Sequence, residues 1–135
     1  MPPLSSIPVF LVATEHIYIM VLESFLWTSP RGRKAFGTTP AFAESTKVLA
    51  ANQGLYNGFL AAGLYWGLFH PVRDFGKHIQ LFFLGCVLAA GAVGGATANK
   101  KIFFIQGVPG MVGLAAVLLS WMLSTSIGVF RNAWY

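Results

Sequence analysis

The chain is poor in charge. Only 10% of its 135 residues are Asp, Glu, Lys or Arg, whereas a soluble domain carries about 25%. So few charges cannot cover the surface of a soluble fold, which excludes most water-soluble globular classes. With hydrophobic residues at 56%, disorder is excluded too. Cysteine is nearly missing. Cys86 alone rules out an internal disulfide and a CxxC redox pair, and among its apolar neighbours it reads as an inert thiol. Low-complexity tails and internal repeats are absent. No segment reads as a strand, so no Gly-rich phosphate loop can follow one, and no nucleotide site is expected. Acidic residues number 4 against 9 basic ones, a net charge of +5. In a polar chain that excess would suggest nucleic acid. Here the basic residues stand between apolar runs, the pattern of a membrane protein, and no nucleic-acid partner is expected.

Four long apolar runs are present, near 8–27, 48–69, 79–97 and 102–127. Each approaches the ~20 residues that a bilayer crossing needs. The connections are short except for 28–47, which favours antiparallel neighbours. The expected fold is all-α: one integral-membrane four-helix bundle, up-down-up-down, over residues 1–135. The connection after the first run carries Arg31, Arg33, Lys34 and Lys47, and the one after the third carries Lys100 and Lys101. The other side holds Arg73, Lys77 and Arg131. The positive-inside rule therefore puts 28–47 and 98–101 in the cytoplasm and both termini opposite. Trp27, Trp66, Trp121 and Trp134 fall where aromatic belts form. The N-terminus lacks a basic leader, and Glu15, His16 and Glu23 interrupt its apolar run, so a signal peptide is not expected.

Small residues recur at GxxxG spacing in the pairs Gly54/Gly58, Gly63/Gly67 and Gly91/Gly95. Such pairs let helix backbones approach closely, within one chain or in the seam of a homo-oligomer. Pro109, inside the fourth run, removes a backbone donor and is expected to kink that helix.

The informative feature is polarity inside the spans. The first run holds Glu15, His16 and Glu23, and each ionisable group within a membrane helix costs about 2.5–3.5 kcal/mol on insertion scales. At about 100° per residue they share one broad face, continued by Trp27. Asn52, Gln53, Tyr56 and Asn57 form a polar stripe at the start of the second run, and Gln106 stands just before Pro109 in the fourth. Counted from the cytoplasmic ends, Glu23, Asn52 and Gln106 share a depth of ~6 Å. These groups are expected to line a polar pocket descending from the cytoplasmic face. The competing reading is that they are hydrogen-bond glue between helices.

Four motifs carry a resemblance. They are Glu-His-x-Tyr-Ile-x-x-Leu-Glu at 15–23, Trp-Thr-x-Pro-Arg-Gly-Arg-Lys-x-Phe at 27–36, Ala-Asn-Gln-Gly-x-Tyr-Asn-Gly at 51–58 and Gln-Gly-x-Pro at 106–109. Through them the chain resembles the family called "domain of unknown function 1304", small four-span membrane proteins, over nearly its whole length. The resemblance implies the same topology and picks out the same polar residues, and it supplies no reaction. Fungal members accompany natural-product pathways, so the endoplasmic reticulum is the implied compartment.

Two carboxyls in one dry site can divide the labour, one as general acid and the other as base. Glu15, Glu23 and His16 are therefore the expected catalytic groups. Asn52, Gln53, Tyr56, Asn57, Gln106, Trp27 and Arg31 are expected to orient water or substrate. Such a set suits chemistry without a cofactor or metal: epoxide hydrolysis, epoxide-opening cyclisation or isomerisation of a lipophilic small molecule drawn from the surrounding lipids. Intramembrane Glu and His also mark proton relays, so a carrier or channel subunit is the alternative. A lipid-binding protein that uses the basic stretch 31–34 is a third reading. Arg31 or Arg33 folded over the pocket mouth would pair with Glu23 and favour the base role for it.

Overall fold

The computed structural model describes residues 5–132, with side chains through residue 126. Trp134 and the Arg131 side chain, used above for belt and orientation, lie outside the described residues, as do both chain ends. Every regular element among the described residues is helical: α1 (Ser6–Phe25), α2 (Pro30–Phe36), α3 (Pro40–Phe69), α4 (Arg73–Thr97), α5 (Lys100–Ile102), a π-helical segment (Phe103–Gly107) and α6 (Val108–Asn132). Three stretches are long and apolar enough to cross a membrane: Ser6–Phe25, Arg73–Thr97 and Lys100–Ser126. That makes the chain a membrane protein. The run at 48–69 departs from expectation. It is helical, as the rear part of α3, but Asn52, Gln53 and Asn57 dilute its hydropathy, so α3 does not join the three. The connection 28–47 departs as well, because most of it is helix.

The chain divides into two compact units, a terminal unit (1–12 with 63–135) and a central unit (13–62). In the central unit the local signals for α2 are explicit. Ser29 caps it, its Oγ accepting from the Gly32 amide at 3.1 Å. Pro30 occupies the first turn, where its missing N–H costs nothing. Gly37 ends it at φ 68°, a left-handed conformation that glycine adopts without a Cβ penalty. Thr39 then opens α3, its Oγ1 accepting from the Phe42 amide at 3.3 Å. Farther along, α3 lies against α1 through Gly54 and Gly58. A Cβ on Gly54 would meet Ser24 Oγ at 2.2 Å and the Met20 carbonyl oxygen at 3.1 Å. The GxxxG spacing there serves packing inside the chain.

In the terminal unit the close contact is made against backbone. A Cβ on Gly91 of α4 would stand 2.6 Å from the Gly107 nitrogen. The expected kink at Pro109 takes a specific form. Proline offers no N–H and its ring crowds the carbonyl four residues back. The ladder slips by one residue just before it, and the Val108 amide donates to the Phe103 carbonyl, five residues away. Leu84, Val87 and Val117 are buried, while Phe82, Val93, Phe104, Met122 and Leu123 are each more than 60% exposed. Large apolar side chains on the outside are a liability in water and a lipid-facing surface in a bilayer.

Candidate functional site

Glu23 sits in the last turn of α1, half-buried. Asn57 of α3 donates from Nδ2 to its Oε2 at 2.7 Å. The same Nδ2 also donates to the Gln53 carbonyl at 3.2 Å, one turn back along its own helix, so both donors of that amide nitrogen are used. The bond exists because Gly54 and Gly58 bring α3 close to α1. Beside it opens a cleft of about 460 Å³ lined by Glu23, Ser24, Trp27, Thr28, Lys47 and Asn52, with Phe25, Val48 and Ala51 as its apolar wall. Lys47 is ion-paired with Glu44 one turn back. Trp27 donates from Nε1 to Thr46 Oγ1 at 3.1 Å, and its ring packs on Phe36 with centroids 4.9 Å apart. The short helix α2 thereby fixes the indole that walls the cleft.

The structure brings together Glu23, Asn57, Asn52 and Trp27 from the expected set. Asn52 spends its amide on the Val48 carbonyl at 2.9 Å, an i to i+4 bond within α3. Gln53 and Tyr56 are exposed, and Tyr56 turns its ring edge to Phe59. His16 is fully buried in α1. Glu15 is half-buried and is not part of the cleft lining; eight residues along a helix separate it from Glu23 by ~12 Å. Gln106 belongs to the π-helical segment of the terminal unit.

Arg31 is a correction. Its Nη2 donates to the Tyr18 hydroxyl at 3.3 Å, and the guanidinium lies 5.4 Å from the centre of that ring. A cation over an aromatic face is satisfied there, so Arg31 does not pair with Glu23. Tyr18 and Lys47 are the residues that sequence reasoning passes over. Lys47 reads only as a topology charge. Yet it stands four residues before Ala51, a spacing that places the two on one helix face.

Together these features define a small helical membrane protein with a carboxyl-bearing cleft near the end of its first apolar helix. The chain belongs to the family described as "Protein of unknown function (DUF1304)", whose pattern matches residues 10–118 and so includes every candidate residue above. It is similar to the uncharacterized protein YpaA of Lactococcus lactis subsp. lactis (strain IL1403), with 35% identity over 111 residues, covering 81% of this chain and 87% of that protein. No solved structure matches it.

Proposed function

We propose that this protein is a small membrane enzyme performing acid–base chemistry on a lipophilic, oxygen-bearing small molecule, with epoxide opening as the reaction. One observation carries this reading. Asn57 fixes one oxygen of Glu23, and Glu23 lines a cleft together with Lys47, whose ammonium is ion-paired with Glu44. In hydrolysis, Glu23 accepts a proton from a water whose oxygen attacks an epoxide carbon. The carbon–oxygen bond breaks, its electron pair stays on the epoxide oxygen, and that oxygen takes a proton from Lys47. The proton held by Glu23 then returns to Lys47 through water, and the product is a diol. If a hydroxyl of the substrate replaces the water, the same transfers give cyclisation. Glu15 and His16 remain candidates for a relay along α1.

On this reading α3 is a fourth crossing despite its polar stripe. Leu55, Phe59, Trp66 and Phe69 are each at least half exposed, which suits contact with lipid. The basic connections 28–47 and 98–101 then face the cytoplasm.

The bond between Asn57 and Glu23 equally suits a structural tie between two helices. Glu23→Gln separates the two roles, because glutamine still offers Asn57 an acceptor but cannot take up a proton. The test is diol formation from a panel of lipophilic epoxides by the protein in nanodiscs. General acid–base groups contribute about 10²–10⁴-fold, so E23Q is expected to lose at least ~100-fold in rate at unchanged thermal stability. An E23Q protein as active as the parent removes Glu23 from the chemistry. If the parent turns over no epoxide but moves protons or solutes across liposomes, the carrier reading replaces this one.

A further inference from the structure

A second cavity, of about 520 Å³, lies in the terminal unit where α1 begins, α3 ends and α4 begins. The acid–base reading makes no use of it. Its polar lining includes Arg73, Lys77, His70, Gln80, Ser120 and Ser124, and no acidic residue lines it. Lys77 is the central group, with its side chain only 17% exposed. Its ammonium donates to Ser124 Oγ at 3.1 Å, and that hydroxyl donates onward to the Trp121 carbonyl at 2.8 Å. Asp74 Oδ1 stands 3.6 Å from Lys77 Nζ, but Asp74 is 77% exposed and is not among the lining residues. Solvent screening leaves it a weak counter-charge. An ammonium has three donors and a guanidinium five. Among the described residues the Arg73 side chain makes no hydrogen bond or ion pair. Gln80 is already spent, its Nε2 donating to the Gly67 carbonyl at 2.9 Å. The cavity therefore offers two cations with donor capacity to spare, beside the Ser120 hydroxyl.

We infer that this cavity binds a phosphate-bearing group of net negative charge, such as the headgroup of an anionic phospholipid. The ends of membrane helices lie at the depth of lipid phosphates, and basic pockets between such helices accept anionic headgroups. Phe69, at 74% exposure, and Phe75, at 52%, flank the cavity in sequence and suit an acyl chain leaving it. A free phosphate or a soluble phosphate ester would use the same cations without that apolar exit.

The test is native mass spectrometry of the purified full chain, titrated with phosphatidylglycerol, with phosphatidylcholine, and with inorganic phosphate as competitor. Phosphatidylglycerol is expected to bind at least ~10-fold more tightly than phosphatidylcholine. Lys77→Gln should remove that preference and Lys77→Arg keep it. Arg73→Gln, at an exposed position that tolerates exchange, should weaken it about threefold without touching the fold. Displacement of the lipid by millimolar inorganic phosphate, lost in K77Q, would assign the site to soluble phosphates. Equal affinity for the two lipids with no effect of phosphate overturns the proposal. So does a preference that survives in both K77Q and R73Q.

Discussion

Two polar cavities among the described residues are built from different charges. The one in the central unit mixes a carboxyl with an ammonium, Glu23 and Lys47. The one in the terminal unit gathers Arg73 and Lys77 among hydroxyls, with no acid in the lining. The means of support differ too. Glu23 is held by a side-chain amide from a neighbouring helix, whereas Lys77 is held by a serine hydroxyl. A mixed pair can pass a proton in both directions, which is what acid–base chemistry requires. A one-signed cluster cannot, but it holds an anion well. The difference suits the chemistry proposed for one cavity and the recognition proposed for the other, and each proposal can be broken separately.

The largest expected effect is on Glu23. E23Q should abolish turnover, by at least ~100-fold, and leave phosphatidylglycerol binding at the level of the parent. Loss of both at once would mean that the exchange unfolds the chain, and the comparison between the cavities would collapse.

Next come two glycines. Gly54→Ala would push a methyl into Ser24 and the Met20 backbone, and Gly91→Ala would push one into the Gly107 backbone. Overpacking of this kind costs typically about 1–3 kcal/mol. Both variants should melt at lower temperature. Only G54A should also slow turnover, because it drives α3 away from α1 and with it Asn57 from Glu23. Gly85, where an added Cβ would meet nothing within 4 Å, is the control: Gly85→Ala should not destabilise, since alanine is the better helix former. Equal damage from G54A and G85A would deny the close contact. Asn57→Ala follows, with an expected loss of about 10-fold in rate. It removes one donor to the carboxyl, worth about 1.5–3 kcal/mol when an ionised group is involved, and leaves the proton-transferring atoms in place.

Much of this is legible in the residues, and the failures have physical causes. The apolar runs behind α1, α4 and α6 are long enough to dominate any local signal, and Pro109 announces a disturbance that the π-helical segment realises. The GxxxG pairs at 54/58 and 91/95 name helix contacts correctly but not their partners, because spacing says nothing about what faces it. The stretch 28–47 passes for open connection because its basic residues draw attention to topology. Ser29, Pro30 and Gly37 are nonetheless a start and a stop for α2. The polar stripe on α3 looks like one face in sequence. Burial splits it, with Asn57 turned to Glu23 and with Gln53 and Tyr56 exposed, a division that a helical wheel cannot show. Arg31 on Tyr18 joins residues thirteen apart across a turn, beyond the reach of any local rule.

That last contact gives the smallest expected effect. Arg31 and Tyr18 are exposed, and an exposed cation over a ring contributes little. Arg31→Gln should therefore change turnover by less than about twofold and leave the melting temperature within error. The measurement is informative through its opposite. If Arg31 swung across to Glu23 once a substrate entered, R31Q would alter the rate as strongly as Asn57→Ala, and Tyr18→Phe, which keeps the ring but removes the hydroxyl that Arg31 donates to, would raise it. A double variant of Arg31 and Glu23 would then show no further loss beyond E23Q. An unchanged R31Q fixes the guanidinium on Tyr18 throughout the reaction and leaves Lys47 as the cation of the cleft.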